Sequence, residues 1–167
     1  MNNFCIGIDP SYTNTGIVVI DDNNKIVYQD CIASALSEKG LQAKRAADFM
    51  LTAIEAFQYI SNQLGDTSIY ICIEYPMVRF QKAPNAVKVN EAFAVIACAA
   101  KLVFNKNISI CYSHQWKSFI GAKHKAKMKI VSQFINDKYH VEFANFDLYA
   151  AYGIALYLRG KIQREGD

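Results

Sequence analysis

"NFCIGIDPSYTNTGIVVID", Asn3 to Asp21, decides the fold. Phe4 to Ile8 is a short, nearly continuous apolar run, the pattern of a strand buried on both faces. It stops on an acid, Asp9, followed by Pro10 and a polar loop, and a second apolar run, Ile17 to Ile20, follows at once. The turn formers Asp21 to Lys25 then predict a hairpin into a third strand over Ile26–Cys31. A carboxylate at the tip of the most hydrophobic strand is costly unless something uses it.

Further along, "SIYICIE", Ser68 to Glu74, repeats the pattern: a fourth apolar strand that also stops on an acid, with Pro76 close behind. Between the two lies a stretch from Ser37 to Leu64 in which Leu41, Ala47, Met50, Leu51, Ile54, Phe57, Ile60 and Leu64 recur at helical spacing, closed by Gly65. After the loop "YPMVRFQKAPN" come a helix of small apolar residues over 86–104 and a short fifth strand in "ISICYS". Helical segments in "HQWKSFIG" and "KHKAKMKIVSQFINDKY" follow, then a last helix over 146–161 with Leu148, Ala151, Ile154, Ala155 and Leu158 inward. This order, a three-strand meander followed by α/β units, predicts an α/β fold: a mixed five-stranded sheet with helices on both faces.

The chain has 167 residues, 52% of them apolar and 20% charged, which suits a single packed domain over 1–167 and argues against disorder. Its net charge of +3 points to a polyanion only if the positive charge clusters. Cys5, Cys31, Cys72, Cys98 and Cys111 form no CxxC pair, and four of them sit in apolar runs. They read as buried thiols of a reducing compartment, not as disulfides or zinc ligands. With no signal peptide and no apolar run near the ~20 residues that span a bilayer, a soluble, cytoplasmic protein without a membrane partner is expected.

In α/β sheets ligands gather at the carboxyl ends of strands. If the fourth strand lies beside the first, Asp9 and Glu74 meet there, and two close carboxylates raise each other's pKa unless a cation lies between them. A hard divalent ion such as Mg²⁺ prefers carboxylate oxygens and keeps waters for a phosphate substrate. Each acid also has a plain alternative: Asp9 as a turn residue before Pro10, Glu74 as a strand-end acid paired with a lysine. A third acid, Asp147, stands near the start of the last helix, where an acid also serves as a cap or dipole partner. Glu142, Asp137, His124 and His140 read as solvated surface, and Trp116 as core or interface.

Lysines cluster in the segments expected to flank the acids. Lys117, Lys123, Lys125, Lys127 and Lys129 lie in one, and Arg79, Lys82 and Lys88 in or after the Glu74 loop. Acidic residues are absent from 78–88 and 114–132. A solvated helix face explains a charge run equally well, but a basic rim around an acidic site suits a phosphate backbone. Phe80 and Met77 offer rings or wedges for unstacked bases, or ordinary packing. Apolar and small residues of the two long helices, Ala94, Ala97, Ala99 and Ala100 among them, suit a two-fold dimer contact.

Four blocks in order, "IGIDPSYTNTGIVVID", "ICIEYPMVRFQKAPNAVKVNEAFAVIACAA", "SHQWKSFIGAKHKAKMKIVSQFI" and "DLYAAYGIALY", resemble the RuvC-type Holliday junction resolvases over nearly the whole chain. That resemblance implies a ribonuclease H-like fold, a homodimer and symmetric, Mg²⁺-dependent hydrolysis of four-way DNA junctions, with Mn²⁺ as a substitute. It makes Asp9, Glu74 and Asp147 the metal-binding acids and brings Lys127 or a neighbour to the scissile phosphate. The family's fourth acid falls at Ala150, which has no side-chain ligand to offer. Either the chain binds junctions without cutting, or Ala150 stands where an active form carries Asp. Competing readings are a YqgF-type nuclease acting on RNA and an actin-like ATPase, whose second lobe 167 residues leave no room for. Small size would also suit a phage- or virus-encoded protein.

Overall fold

The computed structural model describes residues 3–34, 42–65, 67–76 and 83–165. Five strands, β1 (Asn3–Asp9), β2 (Thr15–Ile20), β3 (Ile26–Ile32), β4 (Ser68–Glu74) and β5 (Ile108–Cys111), form one sheet in the order β3-β2-β1-β4-β5. β1–β2 and β2–β3 pair antiparallel, whereas β1–β4 and β4–β5 pair parallel. The sheet is therefore mixed, as the hydrophobic pattern predicts, with β1 at its centre and β4 beside it.

The first hairpin closes as its composition implies. Asp21 Oδ1 accepts from the backbone N–H groups of Asn23 and Lys25, and Asn24 takes the left-handed conformation that asparagine tolerates (φ 61°).

Helices cover both faces. On one face Ile6, Ile8, Ile17, Val19, Ile71 and Ile73 pack against α1 (Gln42–Leu64) and α2 (Ala83–Phe104), which contribute Phe49, Phe57, Ile60, Ile96 and Phe104. On the other, Cys5, Val18, Ile20, Cys72 and Cys111 pack against α3 (Ser113–Ile120), α4 (Met128–Tyr139) and α5 (Phe146–Glu165). This is strand alternation at work: odd positions of β1 face α5, even positions face α1 and α2.

α5 lies directly on the sheet because two glycines allow it. A methyl at Gly7 would lie 2.1 Å from the Ala151 carbonyl oxygen, and one at Gly16 only 2.3 Å from that of Asp147. Gly16 is also the register partner of Asp9, so the same close approach that seats α5 brings its first turn over the end of β1.

Four expectations need correction. The lysine run is not helical: residues 123–127 form a turn, and α4 begins only at Met128, with Lys127 as its N-cap. Closely spaced like charges repel along a helix, and cations at a helix N-terminus oppose its dipole. Cys98 is exposed, although Cys5, Cys72 and Cys111 are buried; all five thiols are free. Ala99 and Ala100 are fully buried under the sheet and cannot face a partner, whereas Ala94 is exposed. The last helix runs on to Glu165. The segments 35–41 and 77–82, which include Leu41, Met77, Arg79, Phe80 and Lys82, lie outside the described residues.

Candidate active site

Asp9 and Glu74 end the neighbouring parallel strands β1 and β4, both on the α5 face. Asp147 sits in the first turn of α5, whose start is fixed by Asn145: its side-chain carbonyl accepts the Leu148 N–H at 3.0 Å, a standard N-cap. Three carboxylates from three elements thus come together near the carboxyl ends of β1 and β4.

Their electrostatics report that convergence. The pKa of Asp9 is held well above the usual carboxylate range, first by burial and then by the negative charges of Glu74 and Asp147; Lys117 opposes the shift. Glu74 is also raised, by burial, against the stabilising pull of Trp116, Lys117 and Ser113. Such a group favours the proton, or a cation, over a bare negative charge.

Two acids are each held by a neutral donor that sequence reasoning missed. Trp116 Nε1 donates to Glu74 Oε2 at 2.6 Å, and Asn14 Nδ2 donates to Asp147 Oδ2. Asn14 is delivered by a clamped loop. The buried Thr15 hydroxyl donates to the Ser11 carbonyl at 2.6 Å and accepts the Ser11 N–H at 2.9 Å. No motif in the sequence announces these partners. Trp116 is 1% exposed and looks like any core tryptophan until β4 is placed beside its helix.

The basic residues divide. Lys117 is half-buried, acts on both Asp9 and Glu74, and reaches the Ala126 carbonyl at 3.4 Å. Lys88, Lys123, Lys125, Lys127 and Lys129 are exposed. An open groove of about 460 Å³, lined by Phe143, Ala144, Asn145, Phe146, Asp147 and Tyr149, runs beside the third acid. Ala150 is 3% exposed and belongs to the apolar cluster that contains Trp116.

All-oxygen, all-carboxylate donors around a raised Asp9 suit a hard divalent cation. Among the described residues, however, no three acidic, histidine or cysteine side chains are drawn together into a coordination group. Glu74 and Asp147 point one oxygen each to Trp116 and Asn14 instead.

The fold has close counterparts among solved structures. It matches the Thermus thermophilus RuvC structure with a TM-score of 0.69 over 99% of this chain and 97% of that one, at 16% identity. T. thermophilus RuvC in complex with Holliday junction substrate matches equally, with a TM-score of 0.69, 16% identity and coverage of 99% and 96%. The mixed α/β architecture is therefore that of RuvC. No protein-family model and no curated protein matches the sequence. Among the described residues, no helix is long and apolar enough to cross a membrane.

Proposed function

We propose that this chain is a structure-specific endonuclease that binds four-way DNA junctions as a homodimer and resolves them by symmetric phosphodiester hydrolysis. The observation that carries the reading is the convergence of Asp9, Glu74 and Asp147 at the carboxyl ends of β1 and β4, where burial first, and then the charges of the other two acids, raise Asp9. The full-length likeness to RuvC, one copy of which holds a Holliday junction substrate, supports it.

Asp9, Glu74 and Asp147 would hold the divalent ion, Mg²⁺ with Mn²⁺ able to substitute. When bound, it activates the attacking water and stabilises the leaving oxygen. The chain's own residues do the rest. Lys117 balances the acids, and Lys127 or a neighbour is assigned to the scissile phosphate by its position in the sequence. Lys88, Lys123, Lys125, Lys127 and Lys129 give a cationic approach to the backbone, with Arg79, Phe80 and Lys82 assigned to DNA binding by their positions in the sequence. Asn14 and Trp116 fix the two outer carboxylates.

A second reading, a junction binder that does not cut, is favoured by Ala150, where the resolvase pattern has its fourth acid. One assay separates the readings. Labelled four-way junction, linear duplex and RNA–DNA hybrid are titrated with and without Mg²⁺, at two salt concentrations, with sedimentation run in parallel. Tighter binding to the junction, a steep loss with salt, a dimer at micromolar concentration and paired nicks are expected. Equal affinity for junction and duplex overturns both readings. Junction binding without nicks favours the second, and preference for the hybrid favours an RNA-directed nuclease.

A further inference from the structure

Beside Glu74 the surface carries a row of aromatic rings that the acids do not need. Tyr75 follows Glu74 directly and is 39% exposed; Tyr112, at the end of β5, is 40% exposed. Their rings meet edge to face at 5.1 Å (Tyr75–Phe93) and 5.8 Å (Tyr75–Tyr112). The Tyr112 ring lies parallel to that of the exposed His114, 12° between planes.

The backbone that carries the row is hydrogen-bonded in place. The Tyr75 N–H donates to the Cys111 carbonyl at 2.7 Å, the Tyr112 N–H to Gln115 Oε1 at 2.8 Å, and the Gln115 N–H to the Tyr112 carbonyl at 2.9 Å. Tyr75 and Tyr112 each leave about two-fifths of their surface open to water beside one another, a contiguous apolar patch of the kind that marks a contact surface. The same helix, α3, carries Ser113 and Trp116, both acting on Glu74, and Lys117, and it leads into the basic turn 123–127. Open π-faces at one end of a helix whose other end leads into a basic turn suit the capture of a base whose backbone the lysines hold.

We infer that the parallel rings of Tyr112 and His114, with Tyr75 edge-on beside them, form a stacking ledge for one nucleobase displaced from its duplex next to the scissile phosphate. The inference rests on the proposed junction-binding function and adds the base contact to it. The occupant is a base and not an apolar peptide, because acidic residues are absent from 113–132 while five lysines lie there.

The test uses the full chain with Ca²⁺, which holds the complex without supporting cleavage, and junctions carrying a fluorescent aminopurine base at successive positions around the crossover. Wild type is expected to change the emission at one position several-fold. The double substitution Tyr112→Ala, His114→Ala is expected to abolish that change and weaken junction binding roughly tenfold while leaving linear-duplex affinity unaltered, within the range for a stacked base. Tyr112→Phe, which keeps the ring, is expected to behave as wild type. His114→Ala alone, at an exposed position, keeps the test open if the double variant melts early. An unchanged emission in both Ala variants, or equal weakening on junction and duplex, overturns the ledge. If wild type does not prefer the junction, the proposed function fails, and the ledge stands only if a single-stranded aminopurine base still responds to wild type and not to the Ala variants.

Discussion

Trp116 donates its indole N–H to Glu74 at 2.6 Å, and its ring lies so close to Gly153 of α5 that a methyl there would come within 2.6 Å of it. One side chain thus ties the end of β4 to the helix that carries the third acid. It is also the chain's single tryptophan. Titration with Mg²⁺ or Mn²⁺ is expected to change its emission saturably, because a cation on Glu74 alters the field at the indole. Trp116→Phe keeps most of the ring but loses the donor; a cost of about 1.5–3 kcal/mol in urea denaturation is expected for a bond to a charged group. A variant as stable as wild type would mean that the bond contributes nothing net.

Asp9→Asn is expected to abolish Mg²⁺-dependent nicking while leaving junction binding intact or tighter. Its pH behaviour has a definite sign. The folded-state pKa of Asp9 lies above the unfolded value, so its protonation contributes stability that is complete below the unfolded pKa and is lost as pH rises through the folded one. In chelator, Asp9→Asn should therefore melt higher than wild type at neutral pH, with the gap closing toward acid pH. Melting curves in EDTA across that range check it; a gap that widens in acid would contradict the assignment.

Ala150→Asp is expected to create or increase strand-specific nicking, since positions 147 and 150 are nearly one helical turn apart. A hundredfold gain corresponds to about 2.7 kcal/mol of transition-state stabilisation. Position 150 is 3% exposed, so an added carboxylate without a cation is a buried, unpaired charge. The melting temperature should drop in EDTA and recover with Mg²⁺. No gain in nicking, or no metal-dependent recovery, would place residue 150 outside the site.

Gly16→Ala is expected to destabilise the fold by at least about 2 kcal/mol, as overpacking against rigid backbone does. It should weaken metal binding as well, because the Asp147 carbonyl must retreat from the added methyl. Denaturant unfolding and the tryptophan titration read the two effects separately. A neutral Gly16→Ala would show that α5 is not seated by this contact.

The sheet and its helices were legible because the apolar runs are short, bounded by turn formers and interrupted by acids at Asp9 and Glu74. Even the facing of the acids can be read, since Gly7 and Cys72 stand two positions before them on the same side of their strands. What stayed hidden depends on residues far apart in the chain. Asn14 and Asp147 are 133 positions apart, and Trp116 and Glu74 are 42 apart. The lysine run misled because its spacing continues that of α4, while its charge ends the helix at Met128. Tyr75 follows β4, Tyr112 caps the start of α3 just after β5, and His114 lies in α3's first turn, so no periodicity links them.

The parallel pairing of β1 with β4 has a metric consequence. Their ladder runs to Ile8 opposite Ile73, so Asp9 and Glu74 stand one step beyond it on adjacent rails, roughly 4.8 Å apart at the backbone. That spacing is a constant of hydrogen-bonded strands and no side-chain substitution can retune it. A slip of one residue would not widen the gap but turn one acid to the opposite face. Substitution in this chain can therefore act only on what fills the gap and what lines its rim, and the ruler itself comes with the backbone.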